Sequence, residues 1–116
     1  MTKLDLYQVD SFTNRLFEGN PAGVIFSSGL TKDNMQKIAL ENNLSETAFV
    51  AKDKSGFNIK WFSPLMEIDL CGHATLAAAH IYFSEINTSA NKISFNSNSG
   101  ILNVYKEDTY LYLDFP

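Results

Sequence analysis

The sequence predicts an α+β domain in which many short strands surround one buried helix while a second helix lies outside. Short segments that alternate polar and apolar residues, or that are rich in β-branched and aromatic residues, recur along the chain between turn residues. The helix that begins at His73 carries apolar residues around most of its circumference, as helices buried inside a domain do. Strand pairs lie between the two helices, which distinguishes this pattern from a βαβ series.

The first half of the chain predicts two strands, one helix and a hairpin. In chain order these are strands at 5–12 and 22–26, a helix at 32–43, and paired strands at 47–52 and 57–62. The polar residues 13–15 and the segment EGNP at 18–21 are typical of turns. Thr31 is suited to be the N-cap of the helix, in which Met35 and Ala39 recur at helical spacing.

The second half predicts the buried helix followed by three short strands. Ser63 and Pro64 end the preceding strand, and the helix begins at His73. The three strands, joined by tight turns, lie at 92–97, 100–106 and 110–116. No internal repeat, low-complexity tract or interdomain linker occurs in the sequence, so a single domain over residues 1–116 is expected.

Composition and charge exclude several kinds of partner. The net charge is -4 and no basic block or stripe occurs, which argues against a nucleic-acid partner. The N-terminus lacks the continuous apolar core of a signal peptide, and the longest apolar run, near 74–79, is too short to span a bilayer. The single cysteine allows no internal disulfide, which fits a reducing compartment. A cytoplasmic protein without a membrane partner is therefore expected.

The segment DLCGHATLAAAH, residues 69–80, is the first candidate site because it places Cys71, Gly72 and His73 at the start of the buried helix. Free backbone amides at a helix N-terminus attract carboxylates and phosphates. Gly72 has no Cβ and lets a ligand approach the backbone, and His73 can donate a hydrogen bond or hold a proton. The alternative is structural: Gly72 eases the turn and Cys71 is a small core residue.

Glu46, in the segment NNLSETAFV, is the second candidate because it opens a strand whose following residues are apolar. A carboxylate at such an edge can be partly buried, which suits it to carrying a proton. The alternative is a solvated acid at a strand end.

Metal and nucleophile sites are not expected from spacing. His73 and His80 stand roughly 10 Å apart along a helix and cannot share one ion. A nucleophile pair of Cys71 and His73 is disfavoured because neighbouring residues rarely point at one another. We therefore expect no metal.

Five stretches together resemble the phenazine biosynthesis-like (PhzF-like) isomerases, whose fold is related to that of diaminopimelate epimerase. They are QVDSFT (8–13), FEGNPAGV (17–24), NLSETAFV (43–50), WFSPLMEIDLCGHATLAAA (61–79) and LDFP (113–116). They occur in the family's order and at family-like spacing over nearly the whole chain. The resemblance implies a strongly curved β-sheet wrapped around a central buried helix. It also implies that residues 1–116 correspond to the N-terminal half of a two-half isomerase.

The resemblance implies proton transfer on carbon without a cofactor. Glu46 would be the acid/base that moves the proton on a small carboxylate-bearing substrate. The amides of Gly72 and His73 would hold the substrate carboxylate or stabilise developing negative charge. Cys71 is expected to bind substrate as well. Two further residues of the matching stretches, Asn20 and Ser45, complete the expected substrate site.

Two other functions remain open. The segment from Cys71 to His73 also resembles the cysteine motif of cofactor-independent amino-acid racemases, in which a thiol transfers the proton. Alternatively, the chain is a catalytically incomplete half-domain that acts only in binding or assembly. In the family the site lies between two similar halves, so we expect either a homodimer or a separate second-half chain as partner.

Overall fold

Eight strands and two helices make up residues 4–10 and 21–116, the part of the chain that this computed structural model describes. The strands are β1 (Leu6–Asp10), β2 (Pro21–Phe26), β3 (Glu46–Asp53), β4 (Gly56–Phe62), β5 (Glu67–Ile68), β6 (Lys92–Ser97), β7 (Gly100–Glu107) and β8 (Tyr110–Asp114). The helices are α1 (Lys32–Asn42) and α2 (Gly72–Ile81), and a π-helical turn (Tyr82–Ile86) continues α2. The predicted α+β class is confirmed. The turns predicted at 13–15 and 18–21 fall largely outside the described residues.

The strands form one mixed sheet in the order β1-β2-β3-β4-β6-β7-β8, with the short β5 beside β4. Most neighbours are antiparallel, but β2 pairs with β3, and β4 with β6, in parallel. Each parallel pair is connected through a helix, because parallel neighbours need a long crossover connection. These two parallel pairings were not predicted from the sequence, although both helices and the hairpins were placed correctly.

The sheet curls around α2, as the resemblance implies. β4 pairs with β6 only at Phe57 and Asn58, while its other end pairs with β5 at Trp61 and Phe62. One end of β4 therefore pairs with β6 and the other end with β5. This divergence of the neighbouring strands bends the sheet. Most of the helix inside it is buried, and its buried residues are Ala74, Thr75, Ala77, Ala78, Ala79 and Ile81. Small alanine side chains allow close contact with the sheet, and the prediction that this helix is the more buried of the two is confirmed.

α1 packs on the opposite, outer face of the sheet. The predicted N-cap is confirmed: Thr31 Oγ1 accepts a hydrogen bond from Asn34 N at 3.1 Å. Asn43 ends the helix in the left-handed conformation, with φ of 52°. Met35 and Ala39 pack in a second apolar cluster, whose sheet residues are Ile25, Phe49 and Phe62. Apolar packing on both faces of the sheet therefore fixes β3 in place between the two helices.

Two of these elements position the candidate residues. β3 begins at Glu46, whose backbone lies beside Ala22 of β2, and α2 begins at Gly72, directly after Cys71. Because α2 packs against β2 and β3, the first residue of the strand and the first turn of the helix can meet. Among the described residues, no helix is long and apolar enough to cross a membrane.

Candidate functional site

Glu46 and His73 meet at the start of α2. Glu46 Oε2 lies 2.8 Å from His73 Nε2, and the two side chains are 19% and 30% exposed. Both of these atoms are themselves buried, and the contact lacks the alignment of a hydrogen bond. Neither atom has a hydrogen-bond partner among the described residues. The sequence expectation that Glu46 lies near the helix start is therefore met by direct contact between side chains.

Cys71 approaches the other nitrogen of the same imidazole. Its Sγ lies 3.7 Å from His73 Nδ1, within reach of a hydrogen bond that involves sulfur. The expectation that these near neighbours point apart is wrong. Cys71 is the extended residue before the helix, with φ of -140°, and His73 lies in its first turn. This change of backbone direction turns both side chains toward one another, so the imidazole lies between a thiol and a carboxylate.

Burial raises the pKa of the Cys71 thiol above its ordinary value. The backbone N–H of Ala74 offsets part of this increase, the nearby Glu46 carboxylate adds to it, and the N–H of His73 again opposes it. The thiol is therefore held mainly protonated at neutral pH. A protonated thiol is a poor base and nucleophile, because the thiolate is the reactive form.

A buried hydrogen-bond chain, absent from the sequence analysis, holds the helix start against β4. Trp61 Nε1 donates to Thr75 Oγ1 at 3.0 Å, and Thr75 Oγ1 donates to the Cys71 carbonyl at 2.7 Å. Thr75 N also donates to this carbonyl at 3.1 Å. Thr75 is fully buried and Trp61 nearly so. The signal in the sequence was Thr75, a polar residue among the apolar residues of this helix and one turn after Cys71.

The structure gives Gly72 a packing role. A Cβ on Gly72 would lie 3.2 Å from Cζ of Phe115 and 3.6 Å from Cδ2 of Leu113. The end of β8 and the residue after it therefore cover this face of the helix start. The missing side chain makes room for Phe115, and a ligand would have to approach the amides from another direction.

The remaining predicted site residues are less informative. Ser45 is exposed and directly precedes β3, and its side chain forms no hydrogen bond to another described residue. Asn20 lies outside the described residues. His80 is exposed at the far end of α2, as expected from its separation from His73. A surface groove lined by residues such as Phe57, Tyr82 and Ile93 does not include Glu46, Cys71 or His73.

The arrangement can move a proton. A carboxylate and an imidazole in contact supply two groups that can each accept or donate a proton. They lie where the amides and positive dipole end of α2 favour negative charge, and the side chain of the N-cap residue, Cys71, makes no capping hydrogen bond there. Glu46, Cys71 and His73 also bring a carboxylate, a thiol and an imidazole together, with donor atoms within 4.8 Å of one another.

Comparisons with known proteins show extensive similarity. A profile of the PhzC-PhzF family, described as phenazine biosynthesis-like proteins, matches residues 9–112. The chain is 49% identical over 115 residues to an uncharacterised isomerase of Pseudomonas aeruginosa. That match covers 98% of this chain but 44% of the relative.

Solved structures show the same similarity. A crystal structure of a phenazine biosynthesis protein of the PhzF family from Enterococcus faecalis has 47% identity and a TM-score of 0.90. The alignment covers 97% of this chain and 44% of the other. A PhzC/PhzF protein from Clostridium difficile has 48% identity and a TM-score of 0.88, with 94% and 42% covered. The chain thus spans less than half the length of the proteins it matches.

Proposed function

Because the chain belongs to the phenazine biosynthesis-like PhzC-PhzF family, we propose that it supplies the proton-transfer residues of a cofactor-independent isomerase. The reaction moves a proton from one carbon of a small carboxylate-bearing substrate to another. The observation that carries this proposal is the 2.8 Å approach of Glu46 Oε2 to His73 Nε2 at the start of the central helix.

Glu46 is the base in this proposal. Its carboxylate removes a proton from carbon, the electron pair delocalises into the substrate, and the protonated carboxyl returns the proton to a second carbon. No net proton is gained or lost. Partial burial keeps water from competing for the proton, while the remaining 19% exposure of the side chain leaves access for a substrate.

The start of α2 stabilises the charge that develops on the substrate. The side chain of its N-cap residue, Cys71, makes no capping hydrogen bond, and the positive end of the helix dipole lies at the same place. His73 donates a further hydrogen bond or a proton to the substrate. His73 contacts Glu46, so a substrate has to insert between the two or bridge them.

Residues outside this chain complete the enzyme in this proposal. The matched proteins are more than twice as long, and the resemblance places the site between two similar halves. The Glu46–His73 pair, which lies at the surface of the described residues, would then face a second half or a second copy. We therefore expect little turnover from the 116 residues alone.

Carboxylate binding at the helix start tests the substrate class. Nuclear magnetic resonance titration of the chain with benzoate is expected to shift the amide signals of Gly72, His73 and Ala74. The neutral analogue benzamide should not shift them. Glu46→Gln should strengthen benzoate binding several-fold because it removes a like charge beside the anion. Shifts that are equal for both probes, or that occur only elsewhere, would refute the proposed anion site.

Cysteine-based racemisation is the second candidate, favoured by the 3.7 Å contact of Cys71 Sγ with His73 Nδ1. The burial that raises the pKa of Cys71 argues against it, because a racemase needs a thiolate. In a complete enzyme, the proposed mechanism predicts that Cys71→Ser changes kcat by less than about tenfold. Loss of about 10²–10⁴-fold, the size expected for a catalytic acid or base, would favour the racemase.

A further inference from the structure

The three side chains at the start of α2 are donors of different chemistry, and together they match the preferences of one kind of ion. Zn²⁺ is bound in proteins by thiolate, imidazole and carboxylate. Cys71, His73 and Glu46 provide one of each, and their donor atoms lie within 4.8 Å of one another. Spacing along the helix excluded a site of His73 with His80, and no metal was expected, whereas the fold brings in a donor from β3.

One of the donor distances is already close to that of a metal site. Zinc–sulfur bonds of about 2.3 Å and zinc–nitrogen or zinc–oxygen bonds of about 2.0–2.2 Å place tetrahedral ligands about 3.3–3.6 Å apart. Cys71 Sγ and His73 Nδ1 are already separated by 3.7 Å. Glu46 Oε2 contacts the other ring nitrogen, Nε2, at 2.8 Å, and only one nitrogen of an imidazole can bind a given ion. Binding therefore requires new rotamers of Glu46 and His73 that bring the carboxylate and the thiol to the same ring nitrogen.

Two buried atoms in this cluster contact each other without forming a hydrogen bond. Glu46 Oε2 and His73 Nε2 are buried and lie 2.8 Å apart, and neither forms a hydrogen bond with another described residue. Buried polar atoms without partners are uncommon in folded proteins and often indicate an ion or water. A metal ion between the two elements would coordinate the carboxylate and the imidazole. Its charge would be neutralised by the carboxylate and the thiolate.

We propose that Glu46, Cys71 and His73 form a three-ligand site for one thiophilic divalent cation, best matched by Zn²⁺, with the fourth position open to solvent. Binding exchanges the sulfur–hydrogen bond of Cys71 for a sulfur–metal bond and releases the proton to water. The partial exposure of Glu46 and His73 provides the entry path and the place for the fourth ligand. If the proposed function is correct, the ion inhibits the enzyme because it occupies the carboxylate that carries the proton.

Cobalt(II) is the probe, since it substitutes for zinc and absorbs light when bound to a thiolate. Addition of Co²⁺ to the reduced 116-residue chain should produce a near-ultraviolet charge-transfer band that saturates at one ion per chain and disappears when Zn²⁺ is added. Cys71→Ser should abolish the band. Glu46→Gln and His73→Asn should each weaken binding at least tenfold. His80→Asn is the matched control and should change nothing, because His80 is exposed at the other end of the helix.

Three results would overturn the site. These are no charge-transfer band in the folded wild-type chain, a band unaffected by both Glu46→Gln and His73→Asn, or saturation at one ion per two chains. Inhibition is measured separately, on a hybrid enzyme in which the chain is joined to the part of the Enterococcus faecalis protein that it does not match. If Co²⁺ binds as expected but the hybrid enzyme stays active with metal bound, the proposed role of Glu46 is wrong and the metal site stands. If Co²⁺ does not bind, the metal site is wrong and the proposed isomerase function is unaffected.

Discussion

At the scale of residues, the position of His73 depends on a neighbour that takes no part in proton transfer. Thr75 accepts a hydrogen bond from Trp61 and donates one to the carbonyl of Cys71, so a single hydroxyl ties the first turn of α2 to β4. This threonine is fully buried. Its hydroxyl therefore contributes to the stability of the core and helps to orient the first turn of α2, which carries His73.

Thr75→Val should destabilise the chain by about 1–3 kcal/mol, because the variant keeps the shape but leaves the indole N–H of Trp61 buried without an acceptor. Urea unfolding followed by tryptophan fluorescence measures the change. Thr75→Ser is the matched control: it keeps the hydroxyl and loses one methyl group, so its loss should be smaller. A valine variant as stable as the wild type would show that the buried hydrogen-bond chain contributes nothing.

At the scale of elements, the β3–β4 hairpin fixes the strand that begins at Glu46. Its two-residue turn is closed by Asp53, whose carboxylate accepts from the backbone N and Oγ of Ser55 at 2.8 and 2.7 Å. The carboxylate also accepts from Asn58 Nδ2 at 2.7 Å. These hydrogen bonds, those from Ser55 above all, lower the pKa of Asp53 below its ordinary value.

The lowered pKa of Asp53 predicts a pH-dependent contribution to stability. Since the pKa is lower in the folded chain than in the unfolded chain, the contribution is present above the unfolded pKa, about 4, and is lost as the pH falls through the folded value. The wild type should therefore exceed Asp53→Asn in thermal stability at pH 7, and this difference should shrink between about pH 5 and pH 3. Ser55→Ala removes the hydroxyl that donates to Asp53, and it should reduce this stability difference at pH 7. A difference that grows on acidification would contradict this account.

Much of the fold follows from local patterns, because each strand, turn and cap has its own signature. Thr31 was predicted as a cap and acts as one, and the apolar circumference of α2 indicated its burial. The parallel pairings and the two-residue β5 were not predicted, since they depend on where distant segments pack. For the same reason, sequence reasoning could nominate Glu46 and His73 separately, but only the resemblance placed them in one site.

At the scale of the whole molecule, the outer face of β7 and β8 exposes a row of large apolar side chains. Tyr105 lies beside Tyr112 across the two strands, and Tyr110 is 66% exposed. Ile101, on the same face of β7 as Tyr105, is also exposed. Contiguous apolar surface of this kind commonly marks an interaction site, and two-fold pairing is the commonest way in which soluble chains cover it.

We propose that the 116-residue chain self-associates through this tyrosine face, most simply as a two-fold dimer. Light scattering at micromolar concentration should give twice the chain mass. Tyr110→Ser combined with Tyr112→Ser should shift the equilibrium toward monomer. Leu40→Ser is the control, because Leu40 on α1 is similarly exposed at 56% but lies outside the face. A strict monomer in the wild type would contradict the proposal.

The central claim is that Glu46 carries the proton, and deuterium incorporation tests it most directly. For this test, the chain is joined to the part of the Enterococcus faecalis protein that it does not match. The hybrid enzyme is then incubated in heavy water with small unsaturated carboxylic acids and with 2-amino carboxylic acids. Magnetic resonance should detect carbon-bound deuterium in the isomerised acid. Glu46→Gln should slow incorporation by about 10²–10⁴-fold, whereas Cys71→Ser should leave it largely unchanged. Incorporation that proceeds undiminished in Glu46→Gln would contradict the account.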